Sequence, residues 1–207
     1  RLGPQEYRLS IKPDSISILG GDEAGVFYGV QTLRQIIRPE GISLPCVTIL
    51  DRPDFPVRGF YHDVTRGKVP KIETLLMLAD KMAYYKLNQM QLYIEHTFAF
   101  RKHADIWAGS DPLTHEDILR LDEHCRRNFI DLVPSFSTFG HFYTALRSER
   151  KKHLNELEVD AAAKPFSWHD RMAHYTLDCA NPESIALVEE LINEVAPLFS
   201  SKYFNIC

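Results

Sequence analysis

The first fifty residues show two short runs of alternating apolar and polar positions, followed by a run with the period of a helix. Residues 7–11 and 15–18 alternate as half-buried strands do. Asp22 is a helix-capping residue, and the helix after it is predicted to end near residue 37. The buried face of that helix is predicted to consist of Val26, Val30, Leu33 and Ile37. With a further strand at 45–50, this order predicts a small α/β unit.

Beyond a proline-punctuated linker at 51–56, predicted strands alternate with predicted helices. The strands lie at residues 59–64, 89–94, 129–134 and 203–207. The helices between them are predicted to start at Pro70, at Thr114 with a capping box closed by Asp117, and at Asn181. Their core positions are predicted to be Leu75, Leu78, Ala79 and Met82, then Ile118, Leu121 and Cys125, then Ile185, Val188, Leu191, Ile192 and Val195. Such alternation is typical of parallel βαβ units.

The parallel units number three and a half, whereas a closed (β/α)8 barrel needs eight and about 250 residues. The fold is therefore predicted to be α/β: a small α/β sandwich domain at 1–52, then the first part, about four strands, of a TIM barrel at 53–207. Because the chain begins at Arg1 and stops within the fourth strand, we expect a truncated piece of a longer gene product. Such a piece would expose an unpaired strand edge, so self-association through that edge is expected.

Composition narrows the class of protein. The 24 Lys and Arg residues are outnumbered by 28 Asp and Glu, which gives a net charge of −4 and no reason to expect nucleic acid as a partner. No apolar run approaches the ~20 residues of a membrane span, so no membrane partner is expected. The four cysteines are widely spaced, which favours buried free thiols over a disulfide framework or a zinc site. These features do not predict a cellular compartment.

Polar side chains stand where the predicted barrel strands end, which is where parallel barrels carry their chemistry. They are Asp63, Thr65 and Arg66 after the first strand, Glu95 and His96 after the second, and Ser135, Ser137 and His141 after the third. Carboxylate, imidazole and hydroxyl groups together suit a polyhydroxylated ligand. Taken singly, each residue also has a structural interpretation as a cap, an ion-pair partner or a core histidine. The sequence contains no nucleophile elbow, dinucleotide fingerprint, P-loop or HExxH zinc motif.

Six motifs follow one another in the order and spacing of a known family. Residues 25–33 read GVFYGVQTL, and the family has G-x-F-Y-G-x-Q-T-L in its small N-terminal domain. Residues 203–207 read YFNIC, where the family has Y-F-H-I-G-G-D-E. The other motifs lie at 51–66, 82–88, 134–141 and 177–183. Over nearly its whole length the chain thus resembles the family 20 glycoside hydrolases, the β-N-acetylhexosaminidases.

The resemblance implies substrate-binding roles for residues at four positions. Arg58 matches the arginine of the family's R-G motif and is expected to hydrogen-bond the hydroxyls of the terminal sugar. His141 matches the active-site histidine of the P-G-H motif. Glu95 and His96 stand where the family has D-D-Q and are the remaining candidates for contact with substrate. Gly67 and the serines of the third motif also depart from the family pattern, which indicates a divergent branch.

The resemblance further implies a retaining hydrolysis in which the substrate's own 2-acetamido oxygen is the nucleophile. In the family an Asp polarises the acetamide and the adjacent Glu protonates the leaving oxygen. This Asp-Glu pair is expected just after Cys207, so no catalytic residue is expected within the chain, and the chain alone is expected to be inactive. The expected partner is a carbohydrate with a terminal N-acetylhexosamine, GlcNAc or GalNAc. No cofactor and no metal are expected.

Two other interpretations remain open at this point. One is an acetamido-assisted hydrolase of the O-GlcNAcase or hyaluronidase type, which would carry a neighbouring Asp-Asp in strand four in place of Asp-Glu. The other is a non-catalytic carbohydrate-binding module on the same fold. The departures at 95–97 and 135–137 favour the second alternative slightly.

Overall fold

The computed structural model describes residues 1–157, 167 and 175–207, and these include two three-stranded sheets. The first sheet is antiparallel and consists of β1 (Tyr7–Lys12), β2 (Ser15–Gly20) and β3 (Val47–Asp51), in the order β2-β1-β3. Along the central strand every second residue is buried, as the alternation predicts: Tyr7, Leu9 and Ile11. Their side chains form the core of this unit.

Helix α1 (Glu23–Glu40) packs on this sheet through a different face from the predicted one. Val26, Val30 and Ile37 are each about two-fifths exposed, and the buried residues are Gly25, Tyr28, Gly29 and Gln31. The reason is close packing, because a Cβ atom on Gly29 would lie 2.5 Å from a side-chain carbon of Ile18. Two glycines on one face let the helix approach the sheet more closely than a valine face would. The predicted cap is confirmed, since Asp22 accepts a hydrogen bond from the Gly25 N–H at 2.7 Å.

The second sheet is parallel and contains β4 (Gly59–Asp63), β5 (Gln89–Ile94) and β6 (Asp131–Phe136), in that order. A further parallel bridge joins Ser135 to Asn205. Asn205 donates its N–H to the Pro134 carbonyl, and the Phe136 N–H donates to the Asn205 carbonyl, both at 2.9 Å. The chain therefore lies beside β6 where the fourth strand is predicted. A small α/β unit followed by part of a TIM barrel is confirmed as the fold class.

Among the described residues, three long helices lie between the parallel strands: α2 (Ile72–Tyr84), α4 (His115–Arg127) and α6 (Pro182–Val195). The short helices α3 (Ala104–Trp107) and α5 (Tyr143–Leu146) lie in the segments that follow β5 and β6, and single 3-10 turns occupy Lys152–Leu154 and Ala196–Leu198. Outward-facing side chains of β5 pack against the helices in the main core. The capping box of α4 and its three buried residues, Ile118, Leu121 and Cys125, are confirmed.

Three predicted boundaries or faces are wrong for identifiable reasons. Pro70 precedes the helix N-cap at Lys71, so it lies outside the first turn. The third barrel strand starts at Asp131 because Phe129 adopts a φ of 55°, which an extended strand does not allow. Ile185 is 41% exposed, since the buried face of α6 is centred elsewhere and consists of Ser184, Leu187, Leu191 and Val195.

Candidate active site

The carboxyl ends of β4, β5 and β6 bring several of the predicted polar residues together around Glu95. The Glu95 side chain is only 2% exposed, and its Oε1 accepts a hydrogen bond from the Tyr93 hydroxyl at 2.9 Å. The same oxygen lies 2.9 Å from a guanidinium nitrogen of Arg66. The Glu95 N–H donates to the Thr65 hydroxyl at 3.1 Å, which ties the two strand ends together. A buried carboxylate needs such partners, and these keep Glu95 fixed in direction.

Arg66 is held from two sides and still reaches solvent. Its second guanidinium nitrogen lies 2.5 Å from Asp63 Oδ2, and the guanidinium stacks 5.0 Å from the centre of the Tyr93 ring. Asp63 Oδ1 also accepts the N–H groups of Thr65 and Arg66, at 2.8 and 3.1 Å. Burial alone would raise the pKa of Asp63, but these hydrogen bonds outweigh it and lower the pKa below its usual range. The Arg66 side chain is 35% exposed, so it can bind a ligand without leaving its partners.

Two imidazoles flank the Glu95 carboxylate, one near each oxygen. His141 Nδ1 is 3.9 Å from Oε1, and His96 Nδ1 is 4.0 Å from Oε2. His141 has a φ of 61°, a left-handed conformation that costs a non-glycine residue ~1–3 kcal/mol. The loop before it is braced by the Ser137 hydroxyl, which donates to the Gly140 carbonyl at 2.6 Å. The fold thus holds the His141 ring beside the carboxylate against a local backbone preference.

A small, almost closed cavity lies beside this cluster. Glu95, His96, Ser137 and His141 form its polar wall, and the remaining lining residues are Ile106, Phe142, Thr144, Ala145 and Leu191. A guanidinium, a carboxylate, two imidazoles and a hydroxyl can donate and accept hydrogen bonds in several directions. This combination suits a ligand with many hydroxyl groups.

A second layer of polar contacts joins the strands of the parallel sheet to residues 205–207. The Tyr61 hydroxyl is 3.1 Å from Ser135 Oγ, which is in turn 3.1 Å from Cys207 Sγ. Burial raises the pKa of Tyr61 to about 12, so its hydroxyl stays protonated at neutral pH. Asn205 donates to the Gln91 side chain at 3.1 Å in the same layer. Ser135 is buried and does not line the cavity.

Arg58, the predicted sugar-binding arginine, is not brought to this cluster. It precedes the first residue of β4, whereas Asp63 is the last, so the two ends are separated by roughly 16 Å of extended chain. Its guanidinium donates to the Lys86 and Phe55 carbonyls, both at 2.8 Å, and lies 5.3 Å from the centre of the Tyr28 ring. Arg66, but not Arg58, follows the carboxyl end of the first predicted barrel strand. The direction of that strand therefore distinguishes the two arginines in the sequence.

Arg58 belongs instead to a polar contact between the two sheets, which we call the junction and define as Tyr7, Asp51, Arg58, Lys86 and Asn88. The Lys86 ammonium donates to the Tyr7 hydroxyl at 2.7 Å and to Asp51 at 2.9 Å. The Asn88 side chain donates to the Pro56 carbonyl at 2.8 Å. Two of these residues come from the predicted motif at 82–88, which thus has a structural role in this protein.

Within the part of the chain that the structure describes, no group of three or more His, Cys, Asp or Glu side chains could hold a metal ion. In the same residues, no helix combines the length and apolar character required to span a membrane.

The chain resembles known proteins over nearly its whole length. A model described as "Glycosyl hydrolase family 20, domain 2" matches residues 1–52, and one described as "Glycosyl hydrolase family 20, catalytic domain" matches residues 55–207. "Beta-hexosaminidase subunit A1" of Dictyostelium discoideum is 27% identical over 97% of this chain and 38% of its own length. "Beta-hexosaminidase B" of Pseudoalteromonas piscicida is 33% identical over 93% of this chain and 30% of its own length. The chain thus spans well under half of these relatives.

A solved structure shares the fold. The exo β-N-acetylglucosaminidase of Vibrio harveyi, determined in complex with N-acetylglucosamine, aligns with a TM-score of 0.82 over 99% of this chain and 36% of that one, at 21% identity. The family models cover both sheets, and the catalytic-domain model alone covers most of the chain. The chain therefore belongs to glycosyl hydrolase family 20.

Proposed function

We propose that the complete gene product is a β-N-acetylhexosaminidase that removes terminal N-acetyl-β-D-hexosamine, GlcNAc or GalNAc, from a carbohydrate. Membership of family 20 supports this proposal, as do the relatives named as β-hexosaminidases. The observation that carries it is the cluster of Arg66, Glu95 and His141 at the carboxyl ends of three parallel strands. In a barrel this is the end that binds substrate.

The reaction would be a substrate-assisted hydrolysis with retention. The acetamido oxygen attacks the anomeric carbon while the bond to the leaving oxygen breaks, and a protonated carboxylic acid gives its proton to that oxygen. Water then opens the cyclic intermediate and returns a proton to the same carboxylate. The Asp-Glu pair for these steps is proposed just after Cys207, on the strand that Asn205 starts beside β6. Its position follows from the family resemblance.

The residues of this chain would bind and orient the sugar. Arg66 is placed to donate to sugar hydroxyls, and we assign it the role that the sequence resemblance gave to Arg58. His141 would face the reacting end of the site, with the Glu95 carboxylate beside its ring. His96 would complete the polar wall.

The proposal is tested with the complete gene product and 4-nitrophenyl N-acetyl-β-D-glucosaminide. Release of nitrophenol, lost on changing either member of the Asp-Glu pair after Cys207, is the expected result. Absence of such a pair in the gene, or turnover that survives its removal, would contradict the assignment. Residues 1–207 alone are expected to be inactive and to self-associate through the exposed edge of β4, which sedimentation can measure.

The second candidate is a carbohydrate-binding protein without catalysis. The observation favouring it is that Glu95 and His96 stand in place of the two aspartates of the family's D-D-Q motif. Saturable binding of N-acetylglucosamine by a complete gene product that never hydrolyses the aryl glycoside would establish it. An Asp-Asp pair in strand four would instead indicate the O-GlcNAcase or hyaluronidase type.

A further inference from the structure

A cleft of about 610 Å³ lies between α1 of the small unit and α2 of the parallel unit, and we call it the helix cleft. The side-chain amide of Gln35 donates to the Tyr84 carbonyl at 2.6 Å and so joins the two helices beside it. Sites that hold a ligand typically have roughly 300–1,000 Å³. The helix cleft is therefore preformed and large enough to receive a partner's side chains, and it shares no lining residue with the cavity beside Glu95.

Three apolar side chains line the helix cleft and stay in contact with solvent. Ile37 is 42% exposed, Met77 56% and Tyr85 66%. Apolar side chains that are gathered in one concave patch, rather than scattered singly, are typical of interaction surfaces.

The charged side chains that line the helix cleft are mostly basic. Arg34, Arg38 and Lys81 take part in no ion pair among the described residues. Asp80 also lines the cleft, but its Oδ1 lies 2.8 Å from His124 Nε2. The cleft thus has a surplus of positive charge, which favours a partner that presents carboxylates beside an apolar side chain.

Helix α6 has a surface of this kind. Its charged residues are all glutamates, namely Glu183, Glu189, Glu190 and Glu194. Three of them lie 2.9 or 3.0 Å from histidines, whereas the exposed Glu189 takes part in no ion pair within the described part of the chain. Ile185 stands one turn earlier on the same side and is 41% exposed. The charge and the apolar character of this face complement those of the helix cleft.

We propose that the helix cleft binds a second copy of this protein, which places the face of its α6 with Ile185 and Glu189 there. Ile185 lies against Met77 and Tyr85 in this arrangement, and Glu189 pairs with Arg38. This is recognition of a helix face by a groove. Because the cleft and α6 are different surfaces, a two-fold symmetric dimer makes the contact twice, once in each direction. The contact does not depend on catalysis.

The test is sedimentation of the complete gene product over a series of concentrations. A closed barrel pairs the free edge of β4, so that edge does not contribute. We expect a dimer with a dissociation constant in the micromolar range, as small interfaces have. Arg38→Glu or Glu189→Arg should each weaken it at least roughly tenfold, because like charges then face each other at both contacts. Arg8→Glu, the same change at an exposed position of β1, is the matched control and should dimerise as the wild type does.

A mixture of the two single variants gives the sharpest result. In a heterodimer of Arg38→Glu with Glu189→Arg, one contact has the wild-type pair and the other has the reversed pair, so both are attractive. The mixture should therefore dimerise about as tightly as the wild type, although each variant alone does not. Two variants that had merely lost structure would not recover on mixing.

A wild type that stays monomeric, a dimer that neither charge reversal weakens, or a mixture that fails to recover overturns the proposal. Should a variant not fold, hydrogen exchange of the wild type decides. Protection that increases with protein concentration at 34–38, 77–85 and 182–190 supports the contact, and its absence from these segments overturns it.

Discussion

The two ends of strand β4 carry one arginine each, and their surroundings differ in kind. At the amino end, Arg58 is held by backbone carbonyls and a tyrosine ring. At the carboxyl end, Arg66 is held by two carboxylates and another tyrosine ring. Because its guanidinium donates to backbone carbonyls, Arg58 links the segments of the chain that carry Phe55 and Lys86. Carboxylates fix the direction of the other guanidinium while the Arg66 side chain stays 35% exposed, which is the arrangement that the proposed binding role requires.

The difference extends to what each end joins. The junction around Arg58 connects the two sheets by hydrogen bonds between residues far apart in the chain. The cluster around Arg66 connects three neighbouring strand ends of one sheet. We therefore expect identical residue types to serve stability at one end and, under the proposed function, recognition at the other, and substitutions should separate the two effects.

The largest effect is expected from Arg66→Ala in the complete gene product. Removing a preorganised donor at the binding end should lower kcat/KM for the aryl glycoside by roughly 10²–10³-fold. Steady-state kinetics measure this, with the denaturation midpoint as a check that the fold survives. A loss of less than about threefold would remove Arg66 from the site.

Arg58→Met should give the opposite result, a loss of stability without a loss of catalysis. Its donated hydrogen bonds and ring contact suggest a decrease of about 2 kcal/mol in the free energy of unfolding. Urea denaturation measures it, with Arg52→Met, an exposed position nearby, as the control. If activity per folded molecule also fell by more than tenfold, Arg58 would belong to the site after all.

Tyr93→Phe should have a smaller effect at the binding end. It removes the hydroxyl that donates to Glu95, and the loss of one such bond to a buried carboxylate corresponds to roughly a tenfold decrease in kcat/KM. Tyr61→Phe is the matched control, because its hydroxyl contacts Ser135 and Tyr61 lies two residues before the end of β4. Equal effects of the two changes would show that Glu95 is not the group being oriented.

The smallest effect concerns the pH dependence of the junction. Hydrogen bonds outweigh burial and raise the pKa of Lys86 while they lower that of Asp51. The Lys86 contribution is therefore lost as pH rises through its raised pKa, and the Asp51 contribution is lost as pH falls through its lowered pKa. Because Asp51 is 43% exposed, water screens the pair and the total is about 1 kcal/mol.

Lys86→Met should consequently lower the free energy of unfolding most near neutrality and change it least at the two pH extremes, where the contribution of the pair is already lost, so that the stability profile becomes flatter. Denaturation at a series of pH values measures this, with exposed Lys81→Met as the control. A profile identical to the wild type would mean that the pair contributes nothing.

The sequence predicted the cluster around Glu95 better than it predicted the role of Arg58. Strand periodicity gives the residue at which a strand ends, and in a parallel sheet these ends meet, so Glu95, His96 and His141 could be grouped without coordinates. A motif identifies related residues but does not state which end of a strand they occupy. Arg58 and Gly59 lie within one motif, yet only strand direction shows that they face away from the site.

Helix α1 illustrates a different limit. Its sequence has two neighbouring faces with the period of a helix, one with Val26 and Val30 and the other with Gly25 and Gly29. The face with the valines is the more hydrophobic. The glycine face is buried because backbone proximity to Tyr7 and Ile18 depends on the sheet, which lies elsewhere in the chain. Likewise, the left-handed conformation of Phe129 has no signal in its residue type.

The burial of Cys125 has a practical consequence for labelling. Burial raises the pKa of its thiol to about 12, so almost no thiolate is present at neutral pH to react with a maleimide. Cys46 and Cys179 are exposed, and they lie on the small unit and beside α6. Cys207 is exposed as well and would have to be replaced. With that change, fluorescent dyes could be attached to Cys46 and Cys179 without replacing the core cysteine, and energy transfer between them would report the distance between the two units during unfolding.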